Sequence, residues 1–145
     1  MNDILYHMIA GAPAPVAPYS HAVEIGGWLF VTGQLPIDPE NDKAPLPRGV
    51  AAQTRLVFKN LSTVLEAAGA TLADVVAARV FLTDFYRDYE RMNRVYATYF
   101  PAGRRPARTC VGVNGLARRA LVEIDFIARK PEAGKRRRAR PRRQR

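Results

Sequence analysis

The spacing of apolar residues along this chain changes between a β period of two and a helical period near 3.6, and those changes mark its elements. Ala22-Val23-Glu24-Ile25 and Trp28-Leu29-Phe30-Val31-Thr32 are short β-forming runs separated by Gly26-Gly27. A Gly-Gly pair accepts positive φ at both positions, so the spacing predicts a tight hairpin. Ahead of it, Ala12 to Pro18 is proline-rich and reads as extended. Behind it, Pro36 to Pro47 is rich in proline and turn formers and reads as a loop. From Val50 to Ala68 the period becomes helical, with Val50, Val57, Leu61, Val64, Leu65 and Ala68 on one stripe and Gly69 at the stop. Val75 to Leu82 is β-branched enough for a strand. Phe85, Tyr89, Met92, Tyr96 and Tyr99 then recur at helical intervals until Pro101. Strands at about 108–113 and 121–129 complete the order ββαβαββ. This order predicts an α+β layer, one sheet with two helices packed on one face. The other sheet face has no helix to cover it. Apolar residues there favour oligomerisation, with sites between subunits.

Composition changes this picture little, and charge changes it at one end. A chain of 145 residues with 48% hydrophobic content fits one globular domain. No run approaches the roughly 18 apolar residues of a membrane span. Met1-Asn2-Asp3 lacks the basic start of a secretory signal, so a cytoplasmic location is expected. Cys110 is the one cysteine, which excludes an intrachain disulfide and suits a reducing compartment. His7 and His21 match no metal-ligand spacing, and no metal is expected. The net charge of +10 is concentrated: residues 129–145 hold ten Lys/Arg and one acid, whereas residues 1–128 hold thirteen and twelve. We therefore divide the chain into a domain at 1–129 and a basic tail at 130–145 that is expected to be disordered. The tail suits weak, salt-sensitive, non-specific attraction to nucleic acid, or is a solvated extension. It carries no aromatic residue to stack on bases.

Candidate chemistry sits in two strands. Pro106-Ala107-Arg108-Thr109-Cys110-Val111 and Leu121-Val122-Glu123-Ile124-Asp125 place a guanidinium and a carboxylate within otherwise strand-like runs. Such charges are costly unless paired or facing a wet cleft. A planar guanidinium fork grips a carboxylate through two parallel hydrogen bonds, and a glutamate can move protons or orient water. A pocket for a small acid fits both. A structural ion pair is the alternative, since such networks also bury charges. Cys110 reads equally as a core hydrophobe, and no histidine is placed to activate it as a nucleophile. Tyr19 packs on prolines in the plainer reading, and His21 is a satisfied or surface histidine.

Together these residues resemble the RidA/YjgF family of enamine/imine deaminases. The likeness lies in Ala17-Pro18-Tyr19-Ser20-His21-Ala22, Phe30-Val31-Thr32-Gly33-Gln34-Leu35-Pro36, Gln53-Thr54-Arg55, Leu65-Glu66-Ala67-Ala68-Gly69, Val80-Phe81-Leu82-Thr83-Asp84, Asn93-Arg94-Val95-Tyr96 and the two strand motifs. It covers about 13–129 and leaves the tail without a counterpart. The resemblance implies a chorismate-mutase-like fold, assembled as a homotrimer with pockets at subunit interfaces. It implies hydrolysis of 2-aminoacrylate or 2-iminopropionate type compounds to 2-keto acids and ammonia, with no cofactor and no metal. On it, Arg108 matches the carboxylate-binding arginine, Glu123 the acid that positions water or shuttles protons, and Cys110 the cysteine lining the pocket. Tyr19 and Asn93 match pocket residues, Gly33 admits the ligand close to the backbone, and Thr32 replaces the more usual serine. Two other functions stay open: a keto-acid binding or sensing module, and RNA binding or cleavage.

Overall fold

Six strands and two helices make up residues 3–133, the part of the chain that the computed structural model describes. The basic tail lies, from residue 134 onward, outside the described residues. The strands are β1 (Leu5–His7), β2 (Ala22–Ile25), β3 (Trp28–Gln34), β4 (Val75–Leu82), β5 (Ala107–Gly112) and β6 (Val122–Arg129). The helices are α1 (Val50–Ala67) and α2 (Phe85–Ala97). The expected α+β layer is present, preceded by one strand that the pattern does not show. β1 is three residues long and mostly exposed, so nothing alternates. It forms because β2 offers a free edge, on which Leu5, Tyr6 and His7 pair with Glu24, Val23 and Ala22.

The sheet runs β1-β2-β3-β6-β4-β5. Gly26 and Gly27 take φ of 56° and 81°, the doubly positive turn that fits the twist of the β2–β3 hairpin. Every neighbouring pair is antiparallel except β4 and β5, which are parallel. A parallel pair needs a crossover, and α2 supplies it.

Both helices lie on one face. The apolar stripe of α1 puts Val57, Leu61, Val64 and Leu65 fully out of solvent against the sheet. Its end is closed by Ala70 donating to the Leu65 carbonyl at 2.8 Å and Gly69 to that of Glu66 at 3.1 Å. The start of α2 is capped by Asp84, whose carboxylate accepts from the Arg87 amide. Phe58 joins the layers: its ring stacks on Tyr99 at 4.0 Å and meets Tyr96, Phe100 and Phe126 at 5.6–6.0 Å. In β6, Val122, Ile124, Phe126 and Ala128 are buried beneath the helices, while Glu123, Asp125, Ile127 and Arg129 point the other way. That opposite face has no helix on it, and Phe30 there is 47% exposed. No helix among the described residues is long and apolar enough to cross a membrane.

Candidate functional site

The register of β5 decides where the arginine goes. Arg108 pairs with Ala78 and Cys110 with Val80, both buried beneath the helices, so these two side chains emerge on the helix side at the sheet edge. There Arg108 meets α2. Its Nη1 donates to Asn93 Oδ1 at 2.8 Å, and its guanidinium carbon lies 4.7 Å from the Tyr96 ring centroid and 6.0 Å from that of Tyr89. A cation over an aromatic face with one fixed hydrogen bond is oriented before any ligand arrives. The cleft, about 330 Å³, is lined by Asn93, Tyr96, Ala97, Arg105, Pro106 and Arg108. Neither arginine forms an ion pair among the described residues. Cys110 packs against the core, and burial pushes its thiol above the usual range despite the opposing charge of Arg108. It stays protonated at neutral pH, which argues against a thiolate nucleophile.

Glu123 faces the opposite way. It pairs with Phe81 on the uncovered face, where Ala77, Arg79 and Phe81 of β4 line a larger cleft of about 580 Å³ with Tyr19, Thr32 and Gly33. The β3–β6 register slips between Val31 and Gln34, so Thr32 and Gly33 together oppose Asp125. This bulge turns the strand at the cleft. A Cβ on Gly33 would stand 2.5 Å from Glu123 Oε1, so the carboxylate occupies space that only glycine leaves open. Burial, chiefly, and the nearby charge of Asp125 push the Glu123 carboxyl above its ordinary value. Asp125 is itself held by Arg79, with Nη2 at 2.6 Å and Nε at 3.0 Å. The Glu123 side chain has no hydrogen bond or ion pair among the described residues.

The seven expected site residues therefore form two groups. Arg108, Cys110 and Asn93 stand on the helix side; Tyr19, Thr32, Gly33 and Glu123 stand on the open side. Within one chain Arg108 and Glu123 do not meet, so an intrachain ion pair between them is ruled out. His21 is satisfied: its Nδ1 accepts from the Ile9 amide at 2.8 Å and its Nε2 donates to the Pro13 carbonyl at 2.7 Å. The Tyr19 hydroxyl accepts from the Val16 amide at 3.1 Å. Two residues of the arginine cleft escaped the sequence reading. Tyr96 sits on the apolar stripe of its helix and belongs to the core, yet it also lines the cleft beneath Arg108, and its buried hydroxyl has no hydrogen-bond partner among the described residues. Arg105 is marked only by standing immediately before Pro106 in the arginine motif.

The profile of the family described as Endoribonuclease L-PSP matches residues 9–130. The chain belongs to the RidA/YjgF/RutC family. A RutC family protein of Pyrococcus horikoshii is 44% identical over 130 residues, covering 90% of this chain and 99% of that one. A relative from Acinetobacter baylyi, named 3-aminoacrylate deaminase RutC, is 42% identical over 118 residues, covering 81% and 91%. Among solved structures, yeast YEO7 superposes with a TM-score of 0.83 at 33% identity, covering 89% of this chain and 100% of that one. E. coli TdcF, solved with bound serine, gives 0.80 at 31%, covering 88% and 99%. The Rid fold of these neighbours is the six-stranded α+β layer described above.

Proposed function

We propose that this protein hydrolyses reactive enamines and imines of the 2-aminoacrylate and 2-iminopropionate type to 2-keto acids and ammonia. In this reading the site is completed by a second copy. One observation carries it: complementary groups are divided between the two faces of one sheet. Among the described residues, the helix side offers an oriented cation with no counter-ion, and the open side offers a perched acid whose side chain has no partner. Bringing the open face of one copy against the arginine cleft of the next joins them. Because the two surfaces differ, the contact is head-to-tail and closes as a ring, and we propose a homotrimer. The uncovered apolar residues Phe30 and Val111, 47% and 40% exposed, fit such a contact. The deaminase name of the Acinetobacter baylyi relative and the serine bound to TdcF, itself a small amino acid, accord with this substrate class.

The chemistry follows from the groups. Arg108, fixed by Asn93 and Tyr96, grips the substrate carboxylate through its remaining N–H donors. Glu123 passes its proton to the enamine carbon, giving the iminium and leaving the carboxylate. Its carboxylate then takes a proton from water as the oxygen attacks C=N. Returning that proton to nitrogen makes it a leaving group, and as the C–N bond breaks the carboxylate takes the hydroxyl proton, releasing ammonia and the keto acid with Glu123 protonated again. A carboxyl pushed upward by burial suits both directions of transfer. One positioned acid/base contributes about 10²–10⁴-fold, which suffices for an imine that already hydrolyses unaided. To test it, 2-iminopropionate generated in a coupled assay is followed as keto acid and ammonia. Arg108→Ala is expected to abolish the enzyme-dependent rate, and unchanged turnover would reject the assignment. Keto-acid binding without any ammonia release would instead support a sensing module.

A second reading has one observation in its favour. Arg55, Arg91 and Arg94 line a cleft of about 210 Å³ between α1 and α2, with no ion pair among the described residues. This suits a polyanion such as RNA. Charge reversal at all three positions is expected to lower affinity for a single-stranded RNA oligomer and flatten its salt dependence; no change would dismiss it.

A further inference from the structure

Two guanidinium groups line the cleft beside α2, and the reaction above uses one. Arg105 is anchored by its Nε donating to the Phe100 carbonyl at 3.3 Å, which leaves its Nη groups without a partner among the described residues. The remaining lining, Asn93, Tyr96, Ala97 and Pro106, contains no carboxylate. Asn93 uses its oxygen on Arg108, so its amide N–H groups are also unspent. The Tyr96 hydroxyl is buried with no hydrogen-bond partner, and the charges of both Arg105 and Arg108 act on it. Every polar side chain lining this cleft is cationic or able to donate, and none of them is an anion to match the two guanidinium groups.

We infer that the cleft takes substrates with two carboxylates, imines of dicarboxylic 2-keto acids. Arg108 holds the carboxylate next to the reacting carbon and Arg105 the distal one. A single carboxylate satisfies one fork and leaves the second guanidinium uncompensated. A dicarboxylate satisfies both, and charge-assisted pairs of this kind are the strong ones. The reaction is otherwise unchanged: C=N takes up water, the C–N bond breaks, and the products are a 2-keto dicarboxylate and ammonia. This inference rests on the deaminase reading for its chemistry, and on Arg105 for its specificity.

The test compares kcat/KM for 2-iminoglutarate and 2-iminopropionate, each generated in place from its amino acid by an oxidase. The wild-type protein is expected to favour the dianion. Arg105→Gln is expected to lower the dianion-to-monoanion ratio roughly 10- to 100-fold, the worth of one charge-assisted hydrogen bond, and Arg105→Lys to restore part of it. Arg108→Ala is expected to abolish both rates. A wild-type preference for the monoanion, or a ratio that Arg105→Gln leaves unmoved, would overturn the inference while the deaminase reading stands. If the wild-type protein turns over neither imine, the deaminase reading falls. The ratio of the 2-oxoglutarate and pyruvate dissociation constants, measured by titration calorimetry with the same variants, then decides the role of Arg105.

Discussion

Mixing two inactive variants tests whether each site is shared between copies. Arg108→Ala removes the cation from the helix-side cleft, and Glu123→Ala removes the acid from the open-side cleft; each variant alone is expected to be inactive. If every site joins Arg108 of one copy to Glu123 of the next, a hybrid ring regains a site wherever a Glu123→Ala copy meets an Arg108→Ala copy in the correct order. With equal amounts and random assembly, that order occurs at about one quarter of the contacts, whatever the ring size. Co-expressed variants are therefore expected to show about 25% of wild-type imine hydrolysis, while separately purified variants blended without exchange show none. A second mixture sharpens the reading. Wild-type chains mixed equally with the double variant should give about one quarter of full activity if sites are shared, but about one half if each chain carries its own. Differently tagged copies and native mass spectrometry establish that hybrids form. Hybrids without recovery, or a wild-type mixture at one half, would refute the separation of Arg108 from Glu123.

Three further outcomes are expected. Gly33→Ala places a methyl 2.5 Å from Glu123 Oε1 and must displace it, so kcat/KM should fall at least about tenfold. Because the displaced atoms are the far end of a side chain, the melting temperature should change little. Glu123→Gln bears on pH: the carboxyl is raised in the folded protein, so the fold binds its proton more tightly than the unfolded chain does. Stability is then lost as pH rises from the ordinary glutamate range through the raised value. Denaturation curves should show the variant more stable than wild type near neutrality, with the difference vanishing below about pH 4, where both states are protonated. Phe58→Ala empties the ring cluster that joins α1 to α2 and β6, and should cost about 3–5 kcal/mol in denaturant unfolding.

What the sequence makes legible here is local, and what it hides depends on distant pairing. The stripe of α1 is readable because six apolar residues keep one period, and all of them are buried. The Gly26-Gly27 turn and the β4 boundaries are readable for the same reason: neighbours determine them. β1 is not, because it depends on contacts with β2 and with the His21 segment, whose backbone amide donates to the His7 carbonyl at 3.0 Å. The candidate site divides likewise. Its residues stand out as charges and glycines in strand runs, but the face each one takes depends on the partner strand. A shift of one residue in the β4–β5 register would turn Arg108 to the open side. Tyr96 shows how periodicity can be right and incomplete, since it belongs to the core and its ring also carries Arg108 in the cleft.

The same pairing explains why the acid and the arginine can each remain so poorly compensated. Burial first and the charge of Asp125 second raise the Glu123 carboxyl, while Asp125 is itself held by Arg79 from the adjacent strand. The open face thus holds one carboxylate paired with a guanidinium beside one whose carboxyl is raised by burial, two residues apart on a single strand. On the helix side, Asn93 and the Tyr96 ring orient Arg108 without neutralising it. Local rules favour pairing every half-buried charge, and the described residues obey them at Glu24, Asp88 and Asp125. Arg108 and Glu123 are exceptions on opposite faces of one sheet. Exceptions of this kind concentrate where a protein binds or reacts, and here each supplies the charge that the other lacks.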